Sequence, residues 1–231
     1  MTRILYDLTG RDDTRFSPYC WRAKMAMKHK GLDFDTKPVP FTDIPAIRDG
    51  SFKTVPVLED DGVVVHDSFR IALHLEATYP DRPTLFGGPG GEATARFVEQ
   101  WTNTAVNGGL VSLIVADVHR RLMPQDDSYF RESREKRFGK KLEEVSAGRE
   151  ARIDDIRKAL APARNTLQLQ PFLGGDSPLF VDYILFGTLQ WARVTSDFAF
   201  LEASDPVSAW FETCLDLYEG YGRGMKAAAA A

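Results

Sequence analysis

The sequence predicts an α+β protein, with strands in the first third of the chain and helices over the rest. Short β-branched and aromatic runs alternate with helical apolar spacings up to about residue 79, in the order βαβ followed by ββα. A stretch dense in glycine and proline, residues 80–91, then predicts a linker. Beyond it, apolar residues recur at helical spacing with little strand signal. We therefore expect a mixed domain over residues 1–82 and an all-α domain over residues 92–225.

Length, charge and cysteine content limit the possible functions. The 231 residues, 43% of them hydrophobic and 27% charged, suffice for two modest domains with buried cores. A net charge of −4 argues against nucleic acid as a partner. No apolar run approaches the roughly 20 residues of a membrane span and no signal peptide opens the chain, so we expect a cytoplasmic protein. Cys20 and Cys214 lie far apart without metal-ligand spacing, so neither a disulfide nor a metal is predicted.

The first strand and the first helix meet at Ser17. Arg3–Leu8 is predicted as a strand, and a polar loop leads from it to Ser17, which precedes a segment with helical apolar spacing. Ser17 is a good N-cap, and Pro18 is tolerated at the first helical position. The unpaired amides and the positive dipole end of this helix converge on the Ser17 hydroxyl and suit an anion, a thiolate in particular. The alternative is a helix cap that binds nothing.

The residues after Ser17 limit redox chemistry. Ser17-Pro18-Tyr19-Cys20 has the form of a thioredoxin-fold redox motif in which serine replaces the first cysteine, where the nucleophile would be. A dithiol or monothiol mechanism is therefore disfavoured, and the place of Cys20 one turn into the helix predicts its burial. The helix is expected to end at the basic turn and glycine of residues 28–31. In that turn, His29 is interpreted as a solvated partner of the helix dipole rather than a catalytic base.

A strand interrupted by proline follows. Residues 33–38 predict an edge strand because they contain a proline, and the prolines of residues 39–50 allow only a short helix. Thr54–Leu58 is rich in β-formers, yet a central strand could not accept its proline. A cis Val55–Pro56 bond would explain this pattern and would turn the preceding backbone amide and carbonyl toward a ligand.

A hairpin and a helix complete the first domain. The Asp60-Asp61-Gly62 turn between two short strands predicts a β-hairpin. Residues 67–79 predict a helix whose sheet-facing side consists of Ile71, Ala72 and Leu75. Asp67 and Ser68 thus fall at a second strand-to-helix junction. The resulting βαβ-ββα order is thioredoxin-like.

Helices account for the second domain. We expect a long helix over residues 92–122 that is kinked or loosened at Asn107-Gly108-Gly109, a charged helix over 126–139 with another from Lys140, a helix over 149–169, a hydrophobic helix after residues 174–178, and a last helix over 206–221. In the charged helix, interleaved glutamates favour a solvated, salt-bridged face over a site for an anionic partner. The five terminal alanines are expected to fray.

The Ser17 junction, the Val55–Pro56 turn and the Asp67-Ser68 pair, in this order, resemble the glutathione transferase family, and the resemblance covers nearly the whole chain. It implies that Ser17 acts on the glutathione sulfur, that the Val55 backbone pairs with the cysteinyl part, and that Asp67 and Ser68 hold the γ-glutamyl end. Lys53 would pair with the glycyl carboxylate, with a merely exposed lysine as the alternative. The implied glutathione-binding residues are Lys53, Val55, Pro56, Asp67 and Ser68. The resemblance also implies a homodimer.

One helix start departs from the family pattern. Glutathione transferases usually begin the hydrophobic helix of the second domain with a Ser or Thr capping box closed by an aspartate three residues later. Asp182 matches the aspartate, but Leu179 occupies the cap position. We therefore expect Ser177 with Pro178 to cap the helix one turn earlier.

The implied chemistry is stabilisation of a thiolate. Glutathione's thiol has a pKa near that of free cysteine, roughly 8.5, so only a few per cent is ionised at neutral pH. A hydrogen bond from Ser17 and the helix field would together favour the anion by about 2 to 3 kcal/mol. Ser17 is not the nucleophile in this scheme. The electrophile would lie between the domains. The candidate residues for the wall of its site are Phe16, Tyr19, Trp101 and Trp191. Each of them is equally consistent with an ordinary aromatic residue of the core.

Within the family, three segments look most like the glutathione-dependent β-aryl etherases of lignin degradation and their fungal relatives. They are residues 16–22, residues 129–139 and residues 190–193. By this resemblance the thiolate attacks the carbon bearing an aryl ether, a phenolate leaves, and a glutathione thioether forms. Two other classes stay open: a non-catalytic ligand-binding homologue, and a glutathione-dependent thiol oxidoreductase that would use Cys20.

Overall fold

Four strands form one mixed sheet in the N-terminal domain of the computed structural model, which describes residues 2–228. The strands are β1 (Arg3–Leu8), β2 (Asp35–Val39), β3 (Val57–Asp60) and β4 (Val63–His66), in the sheet order β2-β1-β3-β4. β1 pairs parallel with β2 and antiparallel with β3, so that Leu5 lies opposite both Thr36 and Leu58. β3 and β4 form the predicted antiparallel hairpin. The edge position of β2 accommodates Pro38, as predicted.

Two helices complete this domain. They are α1 (Pro18–His29) and α2 (Ser68–Thr78), and a short 3₁₀ segment, Phe41–Ala46, follows β2. α1 and α2 pack against each other and bury apolar side chains. The face predicted for α2 is confirmed, because Ile71, Ala72 and Leu75 are fully buried. The βαβ-ββα order of a thioredoxin-like domain is therefore confirmed.

The C-terminal domain is all-α, as predicted. Its helices are α3 (Pro89–Trp101), α4 (Asn107–Arg120), α5 (Asp127–Phe138), α6 (Leu142–Ser146), α7 (Ile153–Ala159), α8 (Ala161–Leu167), α9 (Phe180–Thr195) and α10 (Pro206–Gly220). Over residues 2–228, no helix is both long and apolar enough to span a membrane. The fraying predicted for the terminal alanines concerns in part residues 229–231, which lie outside the described residues.

Three helix boundaries differ from prediction. α3 begins at Pro89, so Gly90 and Gly91 belong to its first turn rather than to a linker, since proline suits the first helical position. The irregularity expected at residues 107–109 lies just before them, as a π-helical segment over Thr102–Val106. The single helix expected over 149–169 is divided between α7 and α8 because Pro162 cannot donate a helical backbone hydrogen bond.

α9 joins the two domains. It is buried over most of its length and packs against α1. A Cβ atom on Gly187 would lie 2.3 Å from the carbonyl oxygen of Pro18, so only glycine permits this approach of α9 to the start of α1. The contact places the first turn of α1 directly against the helical domain.

The capping predicted at Ser177 is wrong. α9 begins at Phe180, and the buried carboxylate of Asp182 accepts the backbone N–H groups of Leu173, Gly174 and Leu179 at 2.7, 3.0 and 2.9 Å. It also accepts the indole N–H of Trp210 at 2.9 Å. Asp182 therefore holds the helix start without a hydroxyl at the cap position.

Candidate active site

A cavity of about 400 Å³ lies between the two domains. Ser17, Lys53, Thr54 and Val55 contribute to its wall from the N-terminal domain. The helical domain supplies residues of α4, α5 and α9, among them Val111, Val115, Phe130, Arg134 and Trp191. Both domains therefore contribute polar and apolar side chains to the cavity wall.

Ser17 caps α1 and faces this cavity. Its Oγ accepts a hydrogen bond from the backbone N–H of Cys20 at 3.2 Å, and Pro18 occupies the first helical position, so the predicted cap is confirmed. Ser17 is 4% exposed and lines the cavity. Because Oγ is the acceptor in the capping bond, that bond does not use the hydroxyl proton, which a serine can donate to an anion at the helix N-terminus.

The turn before β3 also borders the cavity. The Val55–Pro56 peptide bond is cis, as predicted. Val55 is 8% exposed and lines the cavity together with the exposed Lys53 and Thr54, whereas the buried Pro56 does not line it. The backbone N–H of Asp67 donates to the carbonyl of Pro56 at 3.3 Å. This bond connects the Val55–Pro56 turn to the start of α2.

Asp67 and Ser68 lie at that helix start, outside the cavity wall itself. The Asp67 carboxylate caps α2 by accepting the backbone N–H groups of Phe69 and Arg70 at 2.9 and 3.0 Å. Asp67 has a φ of +83°, a strained value for a residue with a side chain and one that often marks functional positions. Ser68 is 1% exposed, and its hydroxyl has no hydrogen-bond partner within residues 2–228.

A charged cluster behind this helix start was not predicted. Arg22 of α1 is fully buried; its guanidinium donates to Asn103 Oδ1 at 2.9 Å and lies 3.5 Å from Glu99 Oε1. Burial lowers the pKa of Arg22. Burial also raises the pKa of Glu99, a shift that Arg22 opposes and the nearby Asp67 adds to. An arginine within the apolar spacing of α1 was the available signal in the sequence.

Three of the four predicted electrophile-wall residues line the cavity. Phe16, Tyr19 and Trp191 do so, whereas Trp101 does not. The sequence did not point to Phe41 and Phe130, which also line the cavity with ring centroids 5.6 Å apart. Phe41 follows β2 and Phe130 belongs to α5, so their contact joins the two domains.

The charged helix α5 has two different faces. Arg131 forms ion pairs with Glu135 and Glu143, both at 2.8 Å, in agreement with the predicted salt-bridged face. Arg134 does not follow that prediction, because it lines the cavity and burial lowers its pKa. Its guanidinium carbon lies 4.7 Å from the ring centroid of Phe130.

Two further groups can be judged as catalytic candidates. Cys20 is fully buried, and burial raises the pKa of its thiol, which disfavours a nucleophilic role. The interpretation of His29 as a solvated dipole partner is wrong. Its Nδ1 lies 2.7 Å from the Tyr183 hydroxyl and its Nε2 lies 2.9 Å from the Thr84 carbonyl oxygen. Burial lowers the pKa of His29. The residue links α1 to α9 through Tyr183 and does not line the cavity.

Two family models match the chain. The one described as glutathione S-transferase, C-terminal domain, matches residues 93–211, which is more than half of the sequence. The one described as glutathione S-transferase, N-terminal domain, matches residues 16–78. The matches fall on the helical and the mixed domain respectively.

Individual proteins show the same likeness. The glutathione S-transferase-like protein ustS of Aspergillus flavus is 27% identical over 202 residues, covering 74% of this chain and 72% of that protein. Among solved structures, glutathione transferase GSTFuA2 of Phanerochaete chrysosporium aligns with a TM-score of 0.83 and 26% identity, over 99% of this chain and all of that one. GSTFuA3 of the same fungus gives 0.77 and 29%, over 97% and 94%.

Proposed function

The chain belongs to the glutathione S-transferase family, and we propose that it transfers glutathione to an aromatic electrophile with Ser17 stabilising the thiolate. One observation carries this proposal. The Ser17 hydroxyl caps α1 as an acceptor and lines the interdomain cavity, so the capping bond does not use its proton. A thiolate at this point would receive that proton as a hydrogen bond and would also lie at the positive end of the α1 dipole.

We assign the glutathione site to the groove that leads from Ser17 to the start of α2. Its residues would be Lys53, Val55, Pro56, Asp67 and Ser68, with the sulfur at Ser17. The hydroxyl of the buried Ser68 has no partner among the described residues, and this supports the assignment, because a buried polar atom without a partner costs free energy that a ligand would offset. Asp67, half-buried beside it, would pair with the α-amino group of the γ-glutamyl residue.

The proposed reaction is nucleophilic displacement at carbon. Glutathione's thiol loses its proton, and Ser17 donates a hydrogen bond to the resulting thiolate. The sulfur forms a C–S bond to the carbon bearing an aryl ether, the C–O bond breaks with its electron pair, and the departing phenolate takes up a proton. No net oxidation occurs. The cavity contributes by holding the two reactants side by side, which removes much of the entropic cost of their encounter.

We propose β-aryl ethers as the electrophile class. The proposal rests on the resemblance of residues 16–22, 129–139 and 190–193 to etherases of lignin degradation. It is supported by a cavity wall that contains Phe16, Tyr19 and Trp191, since aromatic walls suit aromatic substrates.

Incubation with glutathione and β-O-4 model ethers, followed by mass detection, tests this function. We expect equal amounts of a glutathione thioether and a free phenol. Cys20→Ser should keep this activity, because the buried thiol takes no part. Glutathione binding without turnover of any aryl ether or of 1-chloro-2,4-dinitrobenzene would instead identify a non-catalytic homologue. Disulfide reduction that disappears in Cys20→Ser would identify an oxidoreductase.

We also propose that the protein is a homodimer in which the first domain of one subunit contacts the helical domain of the other. Two-fold symmetry is the common choice of soluble oligomers. The exposed apolar side chains of Val63 on β4, 52% exposed, and Phe97 on α3, 73% exposed, support such an interface because association would remove them from water.

A further inference from the structure

Arg134 is a partly buried cation that has no acidic partner within the part of the chain that the structure describes. It lies on α5, and its guanidinium carbon is 4.7 and 5.7 Å from the ring centroids of Phe130 and Phe41. Its one described hydrogen bond is to the hydroxyl of the adjacent Ser133, at 2.9 Å. Across residues 2–228, no Asp or Glu comes within ion-pair distance of it. A cation in such surroundings is stabilised when an anion joins it.

The charges around the cavity have one sign. Arg137, three residues after Arg134 on α5, is exposed and lines the same cavity. Lys53 lines it from the other domain. Among the described residues that form this wall there is no Asp or Glu. The neighbouring Arg137 lowers the pKa of Arg134 further, beyond the effect of burial. On the same helix, Arg131 is by contrast neutralised by two glutamates.

We propose, on the basis of the proposed function, that the electrophile of this enzyme is an aromatic carboxylate whose ring packs against the cavity-lining rings of Phe41 and Phe130 and whose carboxylate is bound by Arg134 and Arg137. A guanidinium fixed over aromatic rings presents a planar pair of donors that matches a carboxylate. The rings below it supply the apolar contact that an aromatic acid needs. Arg134 and Arg137 are then specificity-determining residues for the second substrate.

Glutathione itself carries carboxylates, so Arg134 and Arg137 could bind a carboxylate of glutathione instead of one on the co-substrate. The proposed glutathione groove runs along the first domain from Lys53 to Asp67, whereas Arg134 and Arg137 belong to α5 of the helical domain. We therefore assign the two arginines to the co-substrate and not to the peptide. Affinity for glutathione alone distinguishes the two sources.

A pair of matched glutathione conjugates provides the test without requiring turnover. S-(4-carboxybenzyl)glutathione carries the anion, and S-(4-carbamoylbenzyl)glutathione is its neutral isostere. Calorimetry should show that the wild-type protein binds the carboxylate about 10-fold or more tightly than the amide, the factor expected for a charge-assisted hydrogen-bonded pair. Arg134→Gln should abolish this preference, and the exposed Arg137→Gln should reduce it. Lys136→Gln removes a charge from the same helix away from the cavity and should leave the preference intact.

The outcomes separate the inference from the function on which it depends. Affinity for unmodified glutathione should be the same in all four proteins. Equal affinity of the wild type for the two conjugates overturns the inference alone. Weakened binding of glutathione itself in Arg134→Gln also overturns it, since the arginine would then serve the peptide. Failure of the wild type to bind glutathione overturns the proposed function and the inference together.

Discussion

The buried carboxylate of Asp126, in the helical domain, accepts the backbone N–H of Phe41, in the first domain, at 2.9 Å. The same carboxylate accepts the backbone N–H and the hydroxyl of Thr42, both at 2.9 Å. Phe41 lines the cavity and packs against Phe130. Asp126 thus fixes the segment after β2 against the start of α5 and sets the shape of the wall between them.

Asp126→Ala should destabilise the protein by about 2 to 4 kcal/mol, because it leaves two backbone donors of the 41–42 segment without their acceptor. Urea unfolding monitored by circular dichroism measures the change. Asp43→Ala, which removes an exposed carboxylate from the same segment, is the control and should stay within about 0.5 kcal/mol of wild type. Equal effects of the two substitutions would show that Asp126 does not hold the segment.

Ser17→Ala should lower kcat by about 10- to 1000-fold with little change in glutathione affinity, because a hydrogen bond to sulfur favours the thiolate far more than the thiol. The pH titration of thiolate ultraviolet absorbance should show a higher pKa for bound glutathione in the variant. Ser17→Thr retains the hydroxyl and the helix cap, so it should retain much of the activity. If bound glutathione titrates identically in wild type and Ser17→Ala, the serine is only a helix cap.

Ser68→Ala combined with Asp67→Ala should weaken glutathione binding at least about tenfold, equivalent to about 1.4 kcal/mol, in calorimetry. The single substitutions separate binding from folding. Ser68→Ala removes a hydroxyl that has no described partner, so its stability should be unchanged. Asp67→Ala also removes the cap of α2 and should cost about 1 kcal/mol of stability. Unchanged glutathione affinity in the double variant would refute the proposed groove.

The sequence correctly predicted the features that depend on residues close together in the chain. The Ser17 cap, the Asp61-Gly62 hairpin and the buried face of α2 depend on residues close in sequence, and the structure shows each as predicted. That Arg134 lacks an acidic partner among residues 2–228 could not be predicted in this way, because it depends on which face of α5 meets Phe41 of the other domain. His29 was misjudged for the same reason, since its partners come from Thr84 and Tyr183.

Phe97→Asp should convert the proposed dimer into a monomer, because it replaces an apolar side chain that association would bury with a charged one. Sedimentation at micromolar concentration should give twice the chain mass of 25.9 kDa for wild type and the chain mass for the variant. Leu169→Asp, at an exposed leucine that follows α8 and lies outside the proposed interface, is the matched control and should remain dimeric. A wild-type protein that sediments only as a single chain would refute the dimer.

His29 should make the protein less stable in mild acid. Burial lowers the pKa of His29 in the folded state, so between that value and about 6.5, its pKa in the unfolded chain, the unfolded state binds more protons. Stability therefore falls as the pH drops below about 6.5, by at most about 1.4 kcal/mol per pH unit for this one group. His29→Gln removes the titration, so its free energy of unfolding should decrease less than that of wild type between about pH 7.5 and pH 5.5, as measured by urea unfolding. The other three histidines are present in both proteins and cancel in the comparison. Equal losses in the two proteins would mean that His29 keeps its ordinary pKa in the folded chain.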